Sequence, residues 1–315
     1  MKNYKPLYKK TFFLFSLVLL HTFASAQTFR PIKGWSAEVN QELESFLNST
    51  LVIQQRKVAV FDCDGTLLGQ VPYYLADEAL YGFAETHYAD KKDELSKHKM
   101  HVINQLLHGN NTGVQYVKER IDFLSGMTTE EAERIGEDCF HAKYQQKIYP
   151  QMRELLADLQ AYGFEIWILS ASPEVLYQQF IHEELGIPLE RILGVKSVVR
   201  NDTISNSLVL PVPQNEGKAE ALQTFIKARP LFVAGNSRGD MEMMNTSVGI
   251  KLIVNPADTK VEKGTEAGAM NGYTVKDYWQ KKGAIIVHCN DVREGGYQYT
   301  SGDWGIKANE SHPAE

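Results

Sequence analysis

Lys57-Val58-Ala59-Val60-Phe61-Asp62-Cys63-Asp64-Gly65-Thr66 is the stretch on which the reading of this chain turns. Its first five residues have the apolar, β-branched character of a buried strand, and they run directly into two carboxylates, a glycine and a threonine. Strand residues at i and i+2 point to one side, so Asp62 and Asp64 are expected to converge on one ligand. They stand at the carboxyl end of the strand, where open α/β sheets place their sites. Acids also cap turns, and the remainder of the chain decides between the two roles.

Short apolar runs recur at residues 164–169, 192–199, 231–234, 250–254 and 284–287, with amphipathic stretches between them. Strands buried on both faces read as such runs, and their alternation with helices predicts an α/β fold: a doubly wound, Rossmann-like, mostly parallel sheet. Pro150 and Gly163 bracket a helix over 152–162. Ser172-Pro173 reads as a cap and first-turn proline for a helix over 174–185, closed by Gly186. Arg200-Asn201-Asp202-Thr203 reads as a hairpin turn on the edge of the sheet.

Roughly 100 residues separate the first strand from the second, far more than a simple crossover needs. The interval carries helical patterns at 73–88, 91–107, 114–124 and 130–146, the last opened by a capping box from Thr128 to Glu131. An inserted helical cap over residues 71–148 is therefore expected, on a core made of 27–70 and 149–290. The glycine-rich polar tail, 291–315, is expected to end in a mobile dozen residues.

With 43% hydrophobic and 23% charged residues, the composition is that of an ordinary globular chain. The beginning differs. Lys2, Lys5, Lys9 and Lys10 precede an apolar run over 12–20, and Ala24-Ser25-Ala26 supplies the small residues a signal peptidase reads. Residues 1–26 are thus expected to be a cleaved signal peptide, the run being shorter than the roughly 20 residues a span needs. Export to the periplasm or medium, with no stable membrane insertion afterwards, follows. The formal charge of −6 falls to about −10 when the leader's four lysines are lost, which disfavours nucleic-acid partners. Cys63, Cys139 and Cys289 lack the spacing of a zinc or redox motif; a Cys139 to Cys289 bridge is open to them, but free cysteines serving as small core hydrophobes are the expected state.

Three more signals stand at strand ends or helix starts. Ser170 ends the run 164–169, with Ala171 and Ser172 leading toward a helix whose free amides suit an anion. Lys218 follows Gly217 at the start of a helix. Gly235-Asn236-Ser237-Arg238-Gly239-Asp240 follows the run 231–234 and leads into Met241. In this order the four motifs, spread over residues 57–254, resemble the haloacid dehalogenase superfamily of phosphatases in its phosphoserine-phosphatase-like branch. That resemblance implies a helical cap inserted after the first strand, as the spacing suggests.

Phosphoryl transfer needs an in-line nucleophile, a proton carrier and positive charge around the equatorial oxygens. Asp62 would be the nucleophile, forming an aspartyl-phosphate, and Asp64 the acid and then the base. Two carboxylates and a phosphate repel one another, so a divalent cation is required, and oxygen ligands favour Mg2+. The resemblance implies that Asp62 ligates it by a side-chain oxygen, Asp64 by its backbone carbonyl, and the 236–240 loop by a third group. Asn236 stands where many relatives carry aspartate, which leaves Asn236 and Asp240 both open as that ligand. Lys218 would neutralise nucleophile and phosphate, while Ser170, with the amides of Gly65 and Thr66 and the Ala171 segment, would bind phosphate oxygens.

The substrate expected is a small phosphorylated metabolite. Val71 stands where phosphoserine phosphatases carry a glutamate that reads the amino acid, which argues against phosphoserine. Tyr73, Tyr74, Tyr81 and Phe83 read as packing residues of an amphipathic helix; one or two facing the site would suit a cationic head group such as choline. Two other functions share these residues. Dehalogenation would use Asp62 but gives Asp64 no alcohol to protonate, and a catalytically silent module binding phosphorylated ligands is motivated by the uncharged Asn236.

Overall fold

The structure, a computed structural model, describes residues 28–70, 73–108, 113–261 and 267–290. The leader, Val71 and the tail from 291 onward lie outside the described residues. Six parallel strands form the main sheet in the order β3-β2-β1-β6-β7-β8. They are β1 (Lys57–Phe61), β2 (Phe164–Pro173), β3 (Ile192–Val195), β6 (Phe232–Gly235), β7 (Ile250–Val254) and β8 (Ile285–Val287). From β1 the chain winds outward through β2 and β3, then returns to the other side for β6, so the strand order reverses beside β1. Such a reversal opens a crevice at the carboxyl ends of the strands.

Alternation along each strand divides the core in two. Ala59, Phe61, Phe232, Ala234, Leu252 and Val254 face one side, together with Leu43 and Leu47 of α1 (Ala37–Ser49) and Leu155 and Leu159 of α6 (Pro150–Ala161). Val58, Val60, Val233 and Ile253 face the other. Covering that face are Ala221 of α8 (Glu216–Ala221), Met243 and Met244 of α9 (Met241–Asn245), and Trp279 of α10 (Val275–Gln280). Both faces are dry, which is why these strands read as unbroken apolar runs.

Between β1 and β2 stand α2 (Leu75–His87), α3 (Glu94–His108), α4 (Gly113–Leu124) and α5 (Thr129–Cys139), the last opened by the Thr128 and Glu131 capping box. A π-turn (Phe140–Tyr144) continues α5 toward the core.

Three expectations need correction. The apolar run 192–199 splits into β3 and β4 (Ser197–Arg200). With β5 (Thr203–Leu208), β4 forms a separate antiparallel hairpin rather than an edge of the main sheet. Ser172 caps no helix: β2 runs on through Pro173, one 3-10 turn follows at Glu174–Leu176, and α7 begins only at Gln178 (Gln178–Leu185). The cysteines follow the expectation instead: all three are free, and Cys63 and Cys289 are buried. Among the described residues no helix is long and apolar enough to cross a membrane.

Candidate active site

Val58, Val60 and Asp62 share one side of the pleat, and that side is covered by α8. The Asp62 carboxylate therefore meets Lys218 on α8. Lys218 Nζ lies 2.5 Å from Asp62 Oδ1 and 2.6 Å from Asp240 Oδ1, with all three side chains buried. The second Asp240 oxygen accepts the Asn236 and Ser237 amides, each at 3.0 Å, and the Ser237 hydroxyl at 3.2 Å. One carboxylate thus both shapes the 236–240 loop and holds the lysine against Asp62. Gly235 is required beneath it, since a Cβ there would lie 2.6 Å from that of Asp240.

The turn after β1 is built around the Cys63 carbonyl, which accepts the amides of Thr66, Leu67 and Leu68. Gly65 takes φ +81° and lies so close to the neighbouring loop that a Cβ would fall 2.0 Å from Asn236 Nδ2. The Gly65 and Thr66 amides, expected to bind phosphate, instead close this turn: Gly65 donates to the Leu68 carbonyl at 2.7 Å and Thr66 to that of Cys63 at 3.1 Å. Thr66 reaches the site through its hydroxyl, which donates to Asp62 Oδ2 at 3.1 Å.

The turn also separates the two acids. Alternation ends with β1, and Asp64 swings to the β2 side, where its Oδ2 accepts the Ser172 hydroxyl at 2.8 Å. The Tyr177 hydroxyl lies 3.0 Å from both Asp64 oxygens. Ser170 is buried in β2 and its Oγ accepts the Ser172 amide at 3.1 Å. Ala171, half-buried, lies inside the strand and not at a helix start. Asp62, Asp64, Thr66, Ser170, Asn236 and Asp240 are buried at the carboxyl ends of β1, β2 and β6 or in the segments just beyond, and Lys218 is buried beside them on α8.

Two buried carboxylates, Asp62 and Asp240, flank the Lys218 ammonium, and a third, Asp64, is buried on the β2 side of the site. The nearby Arg120 is taken by Asp77 at 2.8 Å. Burial, with Asp240 alongside, pushes the Asp62 carboxyl up to about 7 against the pull of Lys218. Burial likewise raises Asp64, opposed by Ser172, Arg120 and Tyr177. At Lys218 burial works against the charge, but Asp240 and Asp62 outweigh it and hold the ammonium above the usual lysine range.

A surplus of negative charge among oxygen donors fits a hard divalent cation. Among the described residues no three His, Cys, Asp or Glu side chains make a metal site by themselves. A cation here would need oxygens of another kind as well, such as backbone carbonyls or side-chain amides.

Some residues the sequence did not single out belong to this region. Ser172 and Tyr177 hold Asp64, and Arg120 and Asp77 form a buried pair above them across the inserted helices. Nothing in their spacing announces them, for Asp77 and Arg120 lie 43 positions apart on two helices. The Arg120 guanidinium stands 5.6 Å from the Tyr74 ring centre, so the cation facing that ring is the protein's own. Tyr73 is buried, while Tyr81 and Phe83 pack half-buried on the core. Arg238 pairs with Glu242 at 2.8 Å and donates to the Ala267 carbonyl, serving neither Asp240 nor the site.

The haloacid dehalogenase-like hydrolase family matches over residues 59–245, well over half of the chain. A solved structure from Bordetella pertussis Tohama I, of a protein of unknown function, is 16% identical with a TM-score of 0.57, over 74% of this chain and 99% of that one. Another from Anaerococcus prevotii DSM 20548, also functionally unknown, is 15% identical with a TM-score of 0.56, over 81% and 92%. At such identities the likeness is one of fold. No curated protein matches the chain.

Proposed function

Because this chain belongs to the haloacid dehalogenase-like hydrolase family, we propose that it is an exported, Mg2+-dependent phosphomonoesterase that hydrolyses a small phosphorylated metabolite through an aspartyl-phosphate. The helices inserted between β1 and β2 support assignment to the phosphoserine-phosphatase-like branch. The observation that carries the reading is Lys218 held between Asp62 and Asp240, with Ser170 and Thr66 beside the same carboxylate end of the sheet.

An Asp62 oxygen attacks phosphorus as the bond to the leaving oxygen breaks, and Asp64 gives that oxygen its proton. Water then attacks phosphorus, its proton passes to Asp64, and the bond to Asp62 breaks. Lys218 screens the Asp62 carboxylate from the incoming phosphate, while the Ser170 hydroxyl and the segment around Ala171 offer donors to its oxygens. Bound Mg2+, on Asp62, the Asp64 carbonyl and Asn236, would offset the charge of nucleophile and phosphate. Asn236 is preferred to Asp240 because Lys218 and the loop donors already occupy both Asp240 oxygens.

A panel of phosphomonoesters that includes phosphoserine, phosphocholine and phosphoethanolamine, assayed with and without Mg2+, tests the proposal. Phosphate release that depends on the cation and falls at least about 10³-fold in Asp62→Asn is expected. Ligand binding without turnover of any ester would favour a silent binding module, and halide release from a small haloacid would favour dehalogenation. Export is checked by the amino terminus of the protein outside the cytoplasm, which should be Gln27.

A further inference from the structure

We infer that Tyr177 is a positioning residue: it seats the Asp64 carboxyl for proton transfer and ties that seat to the inserted helices. The inference rests on the phosphatase reading above.

The Tyr177 hydroxyl is buried and fully used. It donates toward Asp64, 3.0 Å from each oxygen, and accepts the Ala76 amide at 3.2 Å. Ala76 sits in the first turn of α2, whose amides lack a helical partner, so the insertion itself supplies this donor.

A second contact joins the same two parts. Gly136 of α5 lies so close to the turn bearing Tyr177 that a Cβ would stand 2.0 Å from the Leu176 carbonyl. The ring is fixed as well, 5.4 Å from that of Phe180, which stacks at 4.3 Å on Phe140 of the π-turn.

Ser172 occupies Asp64 Oδ2 at 2.8 Å, and Arg120 Nη1 stands 3.5 Å behind the serine oxygen. Oδ2 thus faces two hydroxyls and Oδ1 only that of Tyr177, which makes Oδ1 the oxygen with more room to carry the proton. In the first step that proton moves from Oδ1 to the leaving oxygen as the ester bond breaks and the Asp62–phosphorus bond forms. In the second a water oxygen bonds to phosphorus and its proton returns to Oδ1 as the Asp62–phosphorus bond breaks. Tyr177 and Ser172 keep their own protons throughout. Without Tyr177 the carboxyl is free to turn about its bond, and small misplacements of a proton carrier cost rate steeply.

The test is Tyr177→Phe, which keeps the ring, compared with wild type on an alkyl phosphate that wild type hydrolyses and on 4-nitrophenyl phosphate. Nitrophenolate departs without a proton, so kcat/KM, which reports the step of departure, separates proton delivery from general damage. Expected is a loss of about 10- to 100-fold on the alkyl ester and less than about threefold on the nitrophenyl ester. Equal losses on both, or none, overturn the inference and leave the phosphatase reading standing. Hydrolysis of neither ester by wild type overturns both. Should Tyr177→Phe melt appreciably lower than wild type, Ser172→Ala decides by the same ratio: a matching split supports the seat, and an unchanged ratio overturns it.

Discussion

Lys218 has only carboxylates to face, and its worth to the fold lies in what its removal would leave behind. Lys218→Met strands Asp62 and Asp240 in the interior with no counter-charge, and breaking a buried pair from one side costs about 3–5 kcal/mol. Urea unfolding near neutral pH without added cation should show that loss; a change below about 1 kcal/mol would mean that the three groups are not packed as described. The lysine was recognisable in the sequence only as a member of an ordered set of motifs, since a lone lysine after a glycine is more often a solvated one. Asp62 was legible from its own neighbours, because period-two alternation continues from Val58 and Val60. The same rule failed one step later. Past Phe61 the chain curls around the Cys63 carbonyl, and Asp64 leaves the side that alternation assigns to it.

At the scale of elements, the β4–β5 hairpin acts as a strap between core and insertion. It leaves the core after β3, yet it reaches the segment joining α4 to α5. Gly126 donates to the Ile204 carbonyl at 2.8 Å, Ile204 donates to the Met127 carbonyl at 2.9 Å, and Thr129 pairs with Asp202. Ile204 is buried among the helices it binds. Ile204→Ala should cost about 2–4 kcal/mol and speed amide exchange at residues 126–129. Faster exchange confined to the hairpin would contradict the strap. Sequence predicted the hairpin turn, because Asn201 and Asp202 both accept positive φ, but not its partner. A two-stranded ribbon can dock wherever an apolar residue finds cover, and no local pattern records where that is. The four helices of the insertion were legible because each carries its own amphipathic period and, in α5, its own cap. The start of α7 was not, because β2 runs on past Ser172 until Pro173 pairs with Val195 of β3.

For the molecule as a whole, the buried carboxylates make stability depend on pH and, on the proposed function, on a cation as well. The folded Asp62 pKa, near 7 without a cation, lies above the ordinary unfolded value, so the folded state binds the extra proton. Its contribution is complete below about pH 4 and is lost as pH rises through 7. The proposed cation would take the place of that proton, so added Mg2+ should raise Tm more at about pH 8 than at about pH 5, measured by thermal melting. An equal effect at both would place the cation elsewhere. Sequence by itself determined the doubly wound sheet, the helical insertion and the order in which Asp62, Ser170, Lys218 and the 236–240 loop arrive. These follow from period, turn chemistry and apolar runs, all of which act over a few residues. Only the tertiary structure decided that Asp240 holds Lys218, that Asn236 abuts Gly65, and that Tyr177 takes Asp64 and an amide of α2 together. Those pairings join residues from different strands and helices, and their geometry is set by how the sheet's two faces and the insertion pack.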